Sequence, residues 1–149
     1  MWSKWRKFAS LGRRQQQLLA EALLSLGWAR IMKALPFSRV APGLGAHMEE
    51  TGTQPNPSQV PSLKQVAYAV NLMSRHTWWE SKCLVKAMAA MRMLERRGIS
   101  CTLYMGMARE ETGQLLAHAW LRSGPYYITG AEEKDRYTCV ATFARHVEG

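Results

Sequence analysis

Acidic side chains are scarce in this chain of 149 residues: 11 aspartates and glutamates face 20 lysines and arginines, for a formal net charge of +9. Asp135 is the single aspartate. Such a balance favours an acidic partner, whether a peptide, a protein, nucleic acid or a membrane surface, and gives its sign without its identity. Cysteine is also sparse. Cys83, Cys101 and Cys139 are an odd number at wide spacing, which does not describe a disulfide framework, and no signal-peptide pattern precedes them, so a reducing cytoplasm is the expected location. No Cys-x2-Cys pair is present, and neither a zinc site nor any other cofactor is expected. The most apolar run, Gln17 to Leu35, carries Glu21, Arg30 and Lys33, too much charge for a transmembrane span. Internal repeats and low-complexity tracts are absent, and the length leaves no room for a second full domain.

What is present divides into three parts. Trp2, Trp5, Phe8 and Leu11, then Leu18, Leu19, Ala22, Leu23, Leu26 and Ile31, recur near helical spacing among basic residues, which predicts a basic amphipathic helical arm over residues 1–35. The arm is expected to pack on the rest of the chain, with docking on a membrane surface or a partner as the other use of such a helix. Residues 36–61 hold Pro36, Pro42, Pro55, Pro57 and Pro61 with interspersed glycines and read as a linker, mobile near Glu49 to Asn56. Residues 62–149 hold the domain. Helices are expected from Ser62 to Ser74 and from Leu84 to Arg97, the second stopped by Gly98, and strands over Ile99–Met107, Leu115–Leu121, Pro125–Thr129 and Tyr137–Phe143, with a hairpin turn at Ser123-Gly124. Two helices followed by an antiparallel meander make an α+β fold.

Two short stretches carry the chemistry. Cys83 lies at the start of the second helix, with Thr77 and Glu80, or Ser81, as candidate caps, and unpaired N–H groups and the positive end of the helix dipole favour its thiolate. Lys82 adds a neighbouring positive charge. His118 lies within a strand, on one face with Leu116 and Trp120, and a histidine fixed there can serve a helix cysteine as general base and acid. With Arg122 and Pro125 flanking the turn, Thr129 is expected to face His118 across the ladder. Cys101 and Cys139, in mid-strand among apolar neighbours, read as packed residues.

Trp78-Trp79-x3-Cys83-Leu84, then Leu94-x-Arg96-Arg97-Gly98-Ile99, Gly106 and His118-Ala119-Trp120-Leu121, with 35 residues from cysteine to histidine, resemble the stand-alone transglutaminase-like leader peptidases of lasso-peptide biosynthesis. The resemblance covers about residues 60 to 145. It implies a transglutaminase-like or papain-like core, in which a helix carrying Cys83 packs on an antiparallel sheet carrying His118, behind an N-terminal helical arm. It also implies a cysteine peptidase acting through a thioester, with Cys83 as nucleophile and His118 as its partner. The substrate implied is a ribosomally made lasso-peptide precursor, cut between leader and core. The partners implied are a separate leader-binding recognition protein, since the residues before the core are too few and too helical to supply that domain, and an asparagine-synthetase-like cyclase acting next.

One motif position departs from the relatives. In the family an aspartate about a dozen residues after the histidine orients the imidazole; Gly130 stands there, leaving Thr129, Glu132 and Asp135 as candidates, or a dyad without an acid. Trp78 and Trp79 are expected to be core aromatics, with an indole N–H at an oxyanion as the alternative. Two rival functions remain: acyl transfer to an amine by the same dyad, and a non-catalytic basic interaction module, for which charge alone speaks; nucleic acid is not an expected partner.

Overall fold

The computed structural model describes residues 6, 7, 9–77 and 82–147. Among the described residues, α1 (Arg13–Ala34) packs on α3 (Val60–Ser74) and α4 (Cys83–Arg96), which lie against a five-stranded sheet, and α2 (Phe37–Leu44) sits at one edge of that sheet. The strands are β1 (Ala46–His47), β2 (Cys101–Arg109), β3 (Leu115–Ser123), β4 (Tyr126–Thr129) and β5 (Thr138–Arg145), in the spatial order β1-β5-β2-β3-β4 with every pair antiparallel. The α+β architecture is that expected. Only β2 to β4 form a meander, however, since β5 returns across a 3-10 segment (Ala131–Arg136) to pair with β2 instead of β4.

Helix α4 is the central element. Val85, Ala87, Met88, Ala89, Ala90, Met91, Met93 and Leu94 are all buried, so it is apolar almost all round. Its alanines, methionines and leucine share one buried cluster with residues of α1, α3 and the sheet. The helix stops where the basic last turn meets Gly98, whose N–H bonds Glu95 O, while Ile99 N–H bonds Leu94 O.

The N-terminal arm is part of this core. Leu18, Leu19, Ala22, Leu26 and Ala29 of α1 are buried in the same cluster as α4. Glu21 reaches across to Arg97 through two hydrogen bonds of 2.8 and 2.7 Å, and Trp28 lies under Arg92, 4.7 Å from the ring centroid. Trp2, Trp5 and Phe8 lie outside the described residues. No helix among the described residues is long and apolar enough to cross a membrane.

The stretch read as a linker is partly ordered by the sheet. It forms α2, β1 and a 3-10 turn at Pro57–Gln59, and Thr51, inside the segment expected to be mobile, is 5% exposed. The cause is Arg122, buried on the outer face of the sheet and donating to Thr51 O and Gly52 O, together with Thr102 Oγ1, which accepts from Thr51 N–H at 2.9 Å. Buried donors of this kind require carbonyl partners, and residues 50–52 supply them.

The β3–β4 turn also shifts from its expected place. Ser123 pairs with Tyr126, so Gly124-Pro125 is the turn, since Pro125 has no N–H to offer a ladder. With the register change between Leu121 and Arg122, Thr129 pairs with Leu121, on the opposite face from His118.

Candidate active site

Cys83 is the first residue of α4, and its half-buried side chain packs against the core. Lys82 occupies the N-cap position without a side-chain cap bond, and no acidic residue sits in the first turn. Thr77, a candidate cap, instead donates to Ser74 O at 3.2 Å and closes the end of α3. Trp78, Trp79, Glu80 and Ser81 lie outside the described residues, so the other cap candidates and the indole roles fall there too. The sulfur thus sits beside a helix end that has no side-chain cap among the described residues, where backbone N–H groups and the dipole favour negative charge on a thiolate or an oxyanion.

Strand β3 alternates across the sheet. Ala119 and Leu121 enter the core beneath α4, while His118 and Trp120 take the other face, in register with Gly106 and Tyr104. His118 is stacked there, its ring centroid 5.0 Å from Tyr137 and 5.9 Å from Trp120, and Tyr104 stacks on Trp120 at 5.6 Å. Gly106 makes room for this stack: a Cβ at that position would lie 2.8 Å from the Trp120 ring and 2.9 Å from Tyr137 Cβ. The motif glycine between helix and histidine is therefore explained by aromatic packing.

The ring nitrogen Nε2 of His118 lies 2.8 Å from Gly130 O. A carbonyl can only accept, so Nε2 carries the proton and Nδ1 is left as the basic nitrogen. The position where the resemblance calls for a carboxylate thus contributes its backbone oxygen. Glu132 and Asp135 are exposed in the 3-10 segment, and Asp135 pairs with Lys134 at 3.0 Å. Thr129 Oγ1 is buried, without a hydrogen-bond partner among the described residues, on the face away from His118.

Cys83 and His118 lie at the same end of the molecule. From the α4–β2 connection, α4 runs back about 20 Å to Cys83, and β2 runs about 17 Å to Gly106, the partner of His118. The two groups lie on different faces of the sheet, and no hydrogen bond among the described residues joins them. The ladder of β4 ends at Thr129 opposite Leu121, so β3 is the edge of the sheet at His118, covered there by Gly130.

The other thiols separate clearly. Cys101 is fully buried and its thiol is pushed from 9.0 to about 12 by desolvation, the nearby charges of Arg145 and Glu95 acting in opposite directions. Cys139, expected to be packed, is exposed, because the register change between Met105 and Gly106 occurs beside it; Gly106 pairs with it on one side and with His118 on the other. Among the described residues no three metal-ligating side chains converge.

Sequence reasoning missed the polar cluster behind His118. Arg122 donates to Tyr104 Oη at 2.8 Å, and Tyr104 in turn donates to Glu50 Oε1 at 2.6 Å. Burial first, then the bond to Glu50, raises the Tyr104 phenol to about 12, with Arg122 opposing. The one signal available was an arginine at an alternating, otherwise apolar strand position.

A family model described as the transglutaminase-like superfamily matches residues 22–142, which takes in half of α1 and all of the sheet except its last residues. Neither the curated proteins nor the solved structures hold a significant match.

Proposed function

The chain belongs to the transglutaminase-like superfamily, and from that premise we propose that it is a cysteine peptidase that removes the leader from a ribosomally made lasso-peptide precursor. The observation that carries the reading is Cys83, a half-buried thiol on the first residue of a helix with no side-chain cap among the described residues, in a superfamily of cysteine peptidases and acyl transferases. Its thiolate attacks the scissile carbonyl and forms the C–S bond, and the oxyanion faces the free N–H groups of the first turn. The imidazolium of His118 then protonates the leaving amine as the C–N bond breaks. Water hydrolyses the thioester, giving its proton back to the imidazole.

This scheme requires the His118 ring to leave Gly130 O and to reach Cys83 round the edge of β3, beyond the last β4 partner, when substrate binds. The proposed partners are the precursor, a separate leader-binding protein that presents it, and an asparagine-synthetase-like cyclase that takes the product, all in the cytoplasm. Acyl transfer to an amine uses the same first half-reaction, and product mass separates the two, since only hydrolysis leaves a free carboxylate.

The test is incubation of the full chain with precursor and leader-binding protein, followed by mass spectrometry. Wild type should yield leader and core as two hydrolysed fragments, Cys83→Ala should yield none, and Cys101→Ala and Cys139→Ala should retain most activity. Undiminished cleavage by Cys83→Ala would falsify the mechanism.

A further inference from the structure

A cleft among the described residues lies far from Cys83, at the other end of α4. It measures about 470 Å³ and opens between α1, α3 and the C-terminal end of α4. Arg14, Arg96 and Arg97 line it with a single carboxylate, Glu21, so the walls carry an excess of two positive charges. Glu21 is already engaged by both Arg97, at 2.7 Å, and Arg96, at 3.2 Å. Arg97 is further tied to Met93 O, but Arg96 is 64% exposed, and Arg14 has no ion-pair or hydrogen-bond partner among the described residues. Arg14 also stands in the first turn of α1, which has neither a side-chain cap nor an acidic residue to offset the positive end of its dipole.

The remaining polar lining is amide. Gln15, Gln17 and Gln65 each offer a donor and an acceptor, the complement of a peptide group. A compact dianion would make no use of the acceptors and would face the Glu21 carboxylate. A chain with one or two separated carboxylates and backbone amides between them uses every group present.

We infer that this cleft binds an acidic peptide segment, its carboxylate held between Arg14 and Arg96 and its backbone by the glutamines. The cleft lies about 20 Å from Cys83 along α4, a distance that about six extended residues span. The identity of the peptide alone rests on the peptidase reading: on it, the acidic segment belongs to the precursor, six or more residues from the bond that is cut.

The test is fluorescence anisotropy with the full chain and a short fluorescein-labelled peptide carrying two glutamates, its glutamine counterpart, and inorganic phosphate as competitor. Cys83→Ala is measured beside wild type, so that binding is read independently of cleavage. Arg14→Glu sits in an exposed first turn where a carboxylate favours the helix, so its fold should survive. The acidic peptide should bind at least tenfold more tightly than its counterpart, Arg14→Glu and Arg96→Glu should each lose tenfold or more, and Arg39→Glu, exposed on α2, should bind as wild type. Equal binding of the two peptides, equal loss in Arg39→Glu, or displacement by phosphate at concentrations equal to the peptide's would each overturn the inference.

Discussion

His118 Nε2 lies 2.8 Å from the backbone oxygen of Gly130, so the residue that lacks a side chain nevertheless fixes the imidazole. Gly130 adopts φ 74°, and a Cβ built there would lie 2.5 Å from Ala119 O and 3.2 Å from His118 Nε2. The backbone that brings the carbonyl to the ring is thus closed to aspartate.

Substituting Gly130 should therefore damage the fold before it alters the chemistry. Gly130→Ala and Gly130→Asp are each expected to cost at least about 1–3 kcal/mol, from the left-handed backbone and the contact with Ala119 O. Thermal unfolding checks this, at roughly 3 °C for each kcal/mol. An unchanged or raised melting temperature for Gly130→Asp would show that a carboxylate fits there after all.

Glu132 and Asp135 are exposed and make no hydrogen bond to the His118 ring among the described residues, which the Gly130 carbonyl holds until substrate binds. Glu132→Gln and Asp135→Asn should change kcat/KM by less than about twofold, whereas His118→Ala should lose about 10²–10⁴. Steady-state cleavage of precursor in the presence of the leader-binding protein measures all three. A tenfold loss in either acid variant would make that residue the orienting group.

Burial of Cys101 and Tyr104 makes the fold sensitive to alkali. Both protons are held more tightly in the folded chain, with each group raised to about 12. Between the unfolded and folded values the unfolded state binds fewer protons, so stability is complete below about pH 9 and falls as pH rises from there toward 12. Melting temperature should decline over that window, with a shallower slope in Cys101→Val and in Tyr104→Phe. Parallel slopes for wild type and both variants would mean that other groups govern the alkaline limit.

Arg122 should be among the costliest polar residues to remove. It is 4% exposed and donates to Tyr104 Oη, Thr51 O, Gly52 O and Gly124 O. Arg122→Met leaves several buried acceptors unpaired and is expected to cost at least about 2 kcal/mol in urea unfolding. Because a lysine cannot reproduce the fork, Arg122→Lys should recover little of it. Release of residues 50–52 should also quicken cutting at Glu49 and Glu50 by a glutamate-specific protease, and wild-type resistance in Arg122→Met would show that other contacts hold the segment.

Local chemistry was enough to place most elements. Helix α4 is written in its alanines, methionines and leucines and its stop in Arg96, Arg97 and Gly98, and its observed start at Cys83 lies one residue before the Leu84 that the pattern gives. The alternation of β3 put His118 and Trp120 on one face, and the motif around both residues pointed to the superfamily. Such signals depend on neighbours within a few residues. Which face of the sheet the helices cover, the return of β5 to β2, the Leu121–Thr129 register and the pinning of residues 50–52 by Arg122 all depend on residues far apart in the chain. The role of Gly130 belongs with these: a backbone carbonyl is common to every residue, and only the tertiary structure brings this one to the imidazole.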